Sequence, residues 1–146
     1  MNVYAAIKAV LSDDTTINAI ATGGIHDRYS VGRNGLQRRH MADSDAAPVH
    51  PAVYLGWSNR VPFGDQQKIL GADRLFVDVY FYQDSGYDII LTLRERVRTV
   101  LEYNPVAVDG AWMADIFWRG DILGQFDDGL RCCVERSTYE ILLVRR

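Results

Sequence analysis

The groups of this chain that could do chemistry are three histidines, two adjacent cysteines and a scatter of carboxylates, and their spacing assembles no familiar reaction centre. His26, His40 and His50 stand in neither an H-E-x-x-H run nor a Cys/His ligand pattern, so no metal site is predicted. Cys132 and Cys133 are neighbours in an extended stretch, where successive side chains leave opposite faces. They are badly placed to bridge each other or to share one ion, and read as two reduced thiols of an intracellular protein. Asp43-Ser44-Asp45 opens like a calcium loop, but the position that needs the closing glutamate holds Tyr54. The chain has no G-x-S-x-G elbow, no phosphate loop ending in Gly-Lys-Ser/Thr, and no G-x-G-x-x-G between a strand and a helix. Gly23-Gly24 and Gly32-Arg33-Asn34-Gly35 read as turns, and Asp127-Asp128 as a solvated one. An enzyme without a motif would have to gather Asp115, Glu135 and a histidine in a polar pocket. The expectation is a protein with no catalytic residues, no cofactor and no metal.

What stands out instead is the chemistry of contact. Arg33, Arg38, Arg39 and His40 concentrate positive charge in one segment, and Val61, Phe63, Ile69 and Leu70 place apolar residues in another that reads as exposed. Tyr54, Tyr80 and Tyr82 share one face of two alternating stretches. Aromatic residues and arginine are enriched at protein interfaces, and monomers seldom leave a large apolar patch wet. The candidate interface set is therefore Arg33, Arg38, Arg39, His40, Val61, Phe63, Ile69, Leu70, Tyr80 and Tyr82.

The elements that must position these residues are organised around Asp73 to Tyr103. Leu75, Val77, Val79 and Phe81 alternate with Phe76, Asp78, Tyr80 and Tyr82, which predicts a strand with one wholly apolar face. Ile89, Ile90, Leu93, Val97, Val100 and Leu101 then recur three and four apart, the stripe of a helix that Ser85 or Asp84 would cap and Pro105 would end. Upstream, Val3, Ile7, Val10 and Leu11 predict an opening helix, and Ile17 and Ile20 a short second one closed by Gly23-Gly24. Ile25 to Tyr29 reads as a short strand and Ser30 to Pro51 as a long loop. Val53, Leu55 and Trp57 mark a strand that a projecting hairpin, residues 59–72, joins to the Asp73 strand. Val108-Asp109-Gly110 reads as loop, Trp112 to Arg119 as strand, Gly120 to Gly129 as turn, and Leu130 to Val144 as the closing strand. In that last strand the apolar phase changes near Arg136, which predicts a bulge or a new packing partner. Either Trp112 and Trp118, or else Phe117, would join the tyrosine face. The order predicts an α+β fold: an antiparallel sheet of about four to five strands with two main helices on one face.

At 146 residues, 48% hydrophobic and 24% charged, the chain reads as one globular domain spanning residues 1–146. A net charge of −3 and a pI near 5.5 disfavour a dedicated duplex binder, although a nucleic-acid module using Arg33, Arg38 and Arg39 is an alternative. The N-terminal segment lacks the features of a signal peptide, and no window is apolar enough to suggest a membrane span. Neither membrane contact nor secretion is expected.

The residues resemble a family. MNVYAAIKAVLSDDTTINAI with GGIHDRYS looks like the start of the tail-completion, or tail-terminator, proteins of long-tailed bacteriophages. The Pro51-Ala52-Val53-Tyr54 strand, the long hairpin, the Leu75–Tyr82 strand, the helix from Tyr87 to Leu101 and the final strands are similar too. The departure is the long basic segment Ser30–Pro51, where that family would have a shorter loop. The resemblance implies a homo-hexameric ring at the head-proximal end of the tail tube that ends tube growth and presents a head-tail joining surface. Its partners would be copies of itself, the tube protein and the head-tail connector or stopper, with DNA only passing through the lumen. The implied place is the tail or neck of a virion assembled in the host cytoplasm. A head-side connector or another minor tail protein is the neighbouring alternative, and a small enzyme the more distant one.

Overall fold

The alternation at Leu75–Phe81 becomes the middle of a sheet whose one face is sealed by helices. The computed structural model describes residues 3–62 and 72–145. Among them are β1 (Ile25–Asp27), β2 (Ala52–Pro62), β3 (Ala72–Gln83), β4 (Val106–Asp109), β5 (Trp112–Asp127) and β6 (Cys132–Arg145). The helices described are α1 (Val3–Asp13), α2 (Thr15–Ile20), α3 (Arg28–Val31) and α4 (Asp88–Leu101). The strands form a six-stranded sheet in the order β1-β2-β3-β6-β5-β4. All pairings are antiparallel except the parallel pair β1·β2.

Val53 and Leu55 from β2, Leu75, Val77, Val79 and Phe81 from β3, Tyr139, Ile141 and Leu143 from β6, and Ala114 and Ile116 from β5 point to the helix side. There they meet Val3, Ile7 and Leu11 of α1, Ile17 of α2, and Ile90, Leu93, Val97 and Leu101 of α4. Asp14 fixes the helices to one another: its carboxylate caps α2 through the Ile17 amide and takes both an Nε and an Nη2 bond from Arg96 of α4.

The sheet has six strands rather than four or five. The missed one is β4, a four-residue piece between Pro105 and Gly110 that is too short for its alternation to register. The segment expected to be turn-rich after Gly120 is also strand: β5 runs on to Asp127 and absorbs its extra residues in irregularities at Trp118/Gly120 and Ile122/Gln125. Gly124 belongs there, with φ +66° in the left-handed region where a side chain would be strained. The expected strand Ile25–Tyr29 stops at Asp27, whose carboxylate caps α3 through the Ser30 amide. In β6 the phase change is a change of packing partner. Its pairing with β3 runs unbroken from Cys133 to Val144, with Val134 on one face of the sheet and Tyr139, Ile141 and Leu143 under the helices.

The cap of α4 comes from a residue that the sequence does not advertise. Neither Ser85 nor Asp84 does it: the buried Gln83 side chain accepts from the Ile89 and Ile90 amides at 3.1 Å each. Its amide nitrogen donates to the Ser85 carbonyl and the Asp88 carboxylate. Gln83→Ala leaves two helix amides without acceptors, and should lower unfolding free energy by about 1–3 kcal/mol in chemical denaturation. A loss within measurement error would contradict this capping role.

Candidate assembly interface

The second face of the sheet has two regions. Toward the start of β2 it is covered by the chain's own residues 32–51. Met41 and Val49 are buried there against Ala52, Tyr82, Cys132 and Val134, with Leu36, Tyr54, Tyr80 and Leu130 at the margin. The segment is short of apolar residues, and polar bonds hold it. Arg38 donates from Nη1 to the Leu130 and Arg131 carbonyls and from Nη2 to the Ala47 carbonyl and the Asp84 carboxylate. Asp84 Oδ1 also accepts from the Val49 amide at 3.0 Å. The Val49 amide and the Arg38 guanidinium together hold the Asp84 carboxyl below its ordinary range against the opposing effect of burial. Burial pushes the Cys132 thiol beneath this cover up to about 12. Both cysteines are free and buried.

Beyond the cover, the face is open and carries two cross-strand rows. Tyr54, Tyr80 and Arg136 lie side by side in register on β2, β3 and β6, with Ile122 of β5 completing the row. Tyr80 stacks on Tyr82 with ring centroids 6.3 Å apart and tilts against Tyr54 at 6.1 Å. The second row is Phe76, Glu140 and Phe117 on β3, β6 and β5. Arg74 Nε and Arg119 Nε each reach the Glu140 carboxylate at 2.9 Å. The same guanidiniums lie over the Phe76 ring at 5.0 Å and the Phe117 ring at 5.5 Å. Burial works to raise the Glu140 carboxyl, but the two arginines outweigh it and hold it low. Phe117, not Trp112 or Trp118, therefore joins the tyrosine face. The two tryptophans pack on the helix side, where Trp118 lies 3.8 Å under the Arg98 guanidinium.

The residues singled out from sequence are dispersed. Arg33 and Arg39 are exposed, whereas Arg38 is turned inward and its side chain is only 13% accessible. His40 accepts the Gln37 amide at Nδ1 within a short 3-10 turn, residues 38–40, with its ring 6.1 Å from that of His26. Tyr82 is buried beneath the cover, which leaves Tyr54 and Tyr80 as the accessible members of the tyrosine set. The Val61 side chain, and Phe63, Ile69 and Leu70 altogether, lie outside the described residues. The groups an enzyme would have needed do not converge. Asp115 lies on the open face, while Glu135 is on the helix side with its carboxylate 3.6 Å from Arg94 Nε and accepting the Gly124 amide. His26, His40 and His50 sit near β1 and the covering segment. No group of three metal-ligating side chains occurs among the described residues.

This fold is shared by a virion chain. A chain of a solved structure titled "Virion of native gene transfer agent (GTA) particle" superposes with a TM-score of 0.60 over 97% of this chain and 91% of its own, at 12% identity. No family model matches the sequence, and no curated protein does. At that identity the likeness is one of fold. It spans the helices and the sheet as a whole, the frame on which both rows of the open face are mounted.

Missed by sequence reasoning were Arg74, Arg119, Arg136 and Glu140. Their alternation with apolar residues marks a strand, but nothing in it shows that Glu140 falls between two arginines from different strands.

Because the Asp84 carboxyl titrates below the usual carboxylate value, its hold on Val49 and Arg38 is fully present above about pH 4 and is lost as the pH falls further. The Val49 amide should be protected from hydrogen exchange at pH 5 and lose protection below that point. Asp84→Ala should abolish this step and make Cys132 open to thiol reagents at pH 8, where the parent protein resists them. A thiol equally reactive in both proteins would contradict the cover.

Proposed function

We propose that this chain is a non-enzymatic structural protein of a phage-like virion, and that it acts as a tail-completion protein. It closes a homo-hexameric ring at the head-proximal end of the tail tube, ends tube growth and offers the surface on which the head-tail connector or stopper seats. The observation that carries the reading is the fold likeness to a chain of a gene transfer agent virion, end to end in both chains. The finer placement rests on the sequence resemblance to tail-completion proteins described above.

The geometry suits an assembly role. The open face presents tyrosine, phenylalanine and arginine, the residue types that supply most binding energy where proteins meet. The Phe76 and Phe117 rings and the arginines over them are held in place by Glu140, so little side-chain freedom remains to be lost on docking. A ring requires a heterologous contact made by two different patches of each protomer. The rows of the open face are one candidate patch, and Val61, Phe63, Ile69 and Leu70, outside the described residues, are proposed as the other. A net charge of −3 fits a channel through which DNA slides, since phosphate-neutralising contacts would hold it there.

Native mass spectrometry and negative-stain imaging of the purified protein should show a six-fold ring, alone or on tube ends. A persistent monomer at high concentration would contradict the reading. Cells producing the particle without this chain should accumulate heads and tails that do not join. Binding to tube subunits separates a tail-completion protein from a head-side connector, which would bind the portal side.

A further inference from the structure

The long strand β5 is open along part of its outer side. β4 pairs with it only at Trp112–Ala114, and among the described residues no strand continues that line. From Ile116 onward, the outer side meets the Tyr103 amide at the Ile116 carbonyl and the Tyr87 hydroxyl at the Gln125 carbonyl. The stretch Ile122–Phe126 is exposed throughout.

Open edges are normally blunted with lysine, proline or outward charge. This one is not. Asp121 turns inward to Arg94, Trp118 and Ser137, and the next five residues, Ile-Leu-Gly-Gln-Phe, carry no charge. Ile122 is 39% exposed, Leu123 54% and Phe126 56%. The irregularity between Ile122 and Gln125, which would elsewhere serve to break pairing, here leaves Ile122 and Leu123 both exposed. Leu91, 43% exposed, adds to the same ridge. It shares a stripe of α4 with Tyr87, Arg94 and Arg98, whose side chains reach Gln125, Asp121 and Trp118 of β5.

A second, independent observation gives the charge of the occupant. On the open face, Glu140 is shared by two arginines and Asp78 accepts from Thr138 Oγ1. The Arg136 side chain has nothing: it makes no hydrogen bond or ion pair among the described residues, and its Nε is buried without an acceptor. It stands in register with Ile122, one strand in from the open edge. A strand added to β5 would lie two inter-strand spacings, about 10 Å, from β6, within the joint span of a guanidinium and an acidic side chain reaching over Ile122.

We infer that the β5 edge at Ile122–Phe126 is a docking site for an extended segment of another polypeptide that alternates apolar side chains with carboxylates. The segment adds to the sheet by main-chain hydrogen bonds. Its apolar residues cover Leu91, Leu123 and Phe126 on the helix side, and its carboxylate pairs with Arg136 on the other. The inference does not rest on a ring, because the edge exists in each protomer.

The test uses the full chain with a short blocked peptide alternating valine with glutamate, a matched valine–lysine peptide, calorimetry and hydrogen exchange. The glutamate peptide should bind saturably and slow exchange within Ile122–Phe126. Arg136→Gln should weaken binding roughly tenfold, and Leu123→Lys, at a position already more than half exposed, should abolish it. Absence of binding at millimolar peptide, or equal binding of the lysine peptide, would overturn the inference. So would slowed exchange at Ile122–Phe126 on raising protein concentration alone, since a second copy would then fill the edge.

Discussion

A central β-sheet has two faces, and neither can be left apolar and wet. In this protein the first face is sealed by α1, α2 and α4 over a continuous core. The second is sealed in part by the chain itself and is otherwise furnished with arginine and aromatic side chains. Every distinctive feature follows from that division. The covering segment has too few apolar residues to stick by burial, so Arg38 and Asp84 hold it by four bonds to backbone groups and one to each other. Arg38 thereby leaves the basic surface and becomes part of the frame.

The open region follows a different rule. Rows of side chains cross the strands in register, and opposite charge is placed between like charges. Glu140 is shared by Arg74 and Arg119, and each arginine in turn lies over a phenylalanine. The arginine ends of these pairs are open to solvent, which limits what the pairs add to stability. Their effect is to fix the positions of large side chains on a surface. The carboxylates of Asp115 and Glu135 are on opposite faces of the sheet.

The sequence made most of this frame legible where its periods are long. The β3 alternation and the α4 stripe were each long enough to fix their own faces, and with them the helix-on-sheet layer. Where a rule depends on length or on partners, legibility fails. β4 has four residues, too few for alternation to show. β5 hides its second half behind glycines that read as turns but sit where the ladder slips. The cap of α4 is Gln83, six residues ahead of the amide at Ile89, at a spacing no local capping pattern covers. The open face was legible as a tyrosine set from alternation alone, but the division between Tyr82, covered, and Tyr80, accessible, depends on where residues 32–51 fold back. The pairing of Glu140 with arginines on β3 and β5 depends on register, which no single strand contains.

We propose that the open face is a contact surface, hidden in the working particle. Hydroxyl-radical footprinting read by mass spectrometry tests this most directly, applied to the dilute protein and to the assembled particle. Phe76, Tyr80 and Phe117 should be oxidised in the first and protected in the second, while Tyr29, exposed on α3 away from these rows, serves as the reference. Equal oxidation of Phe76, Tyr80 and Phe117 in both states would contradict the account.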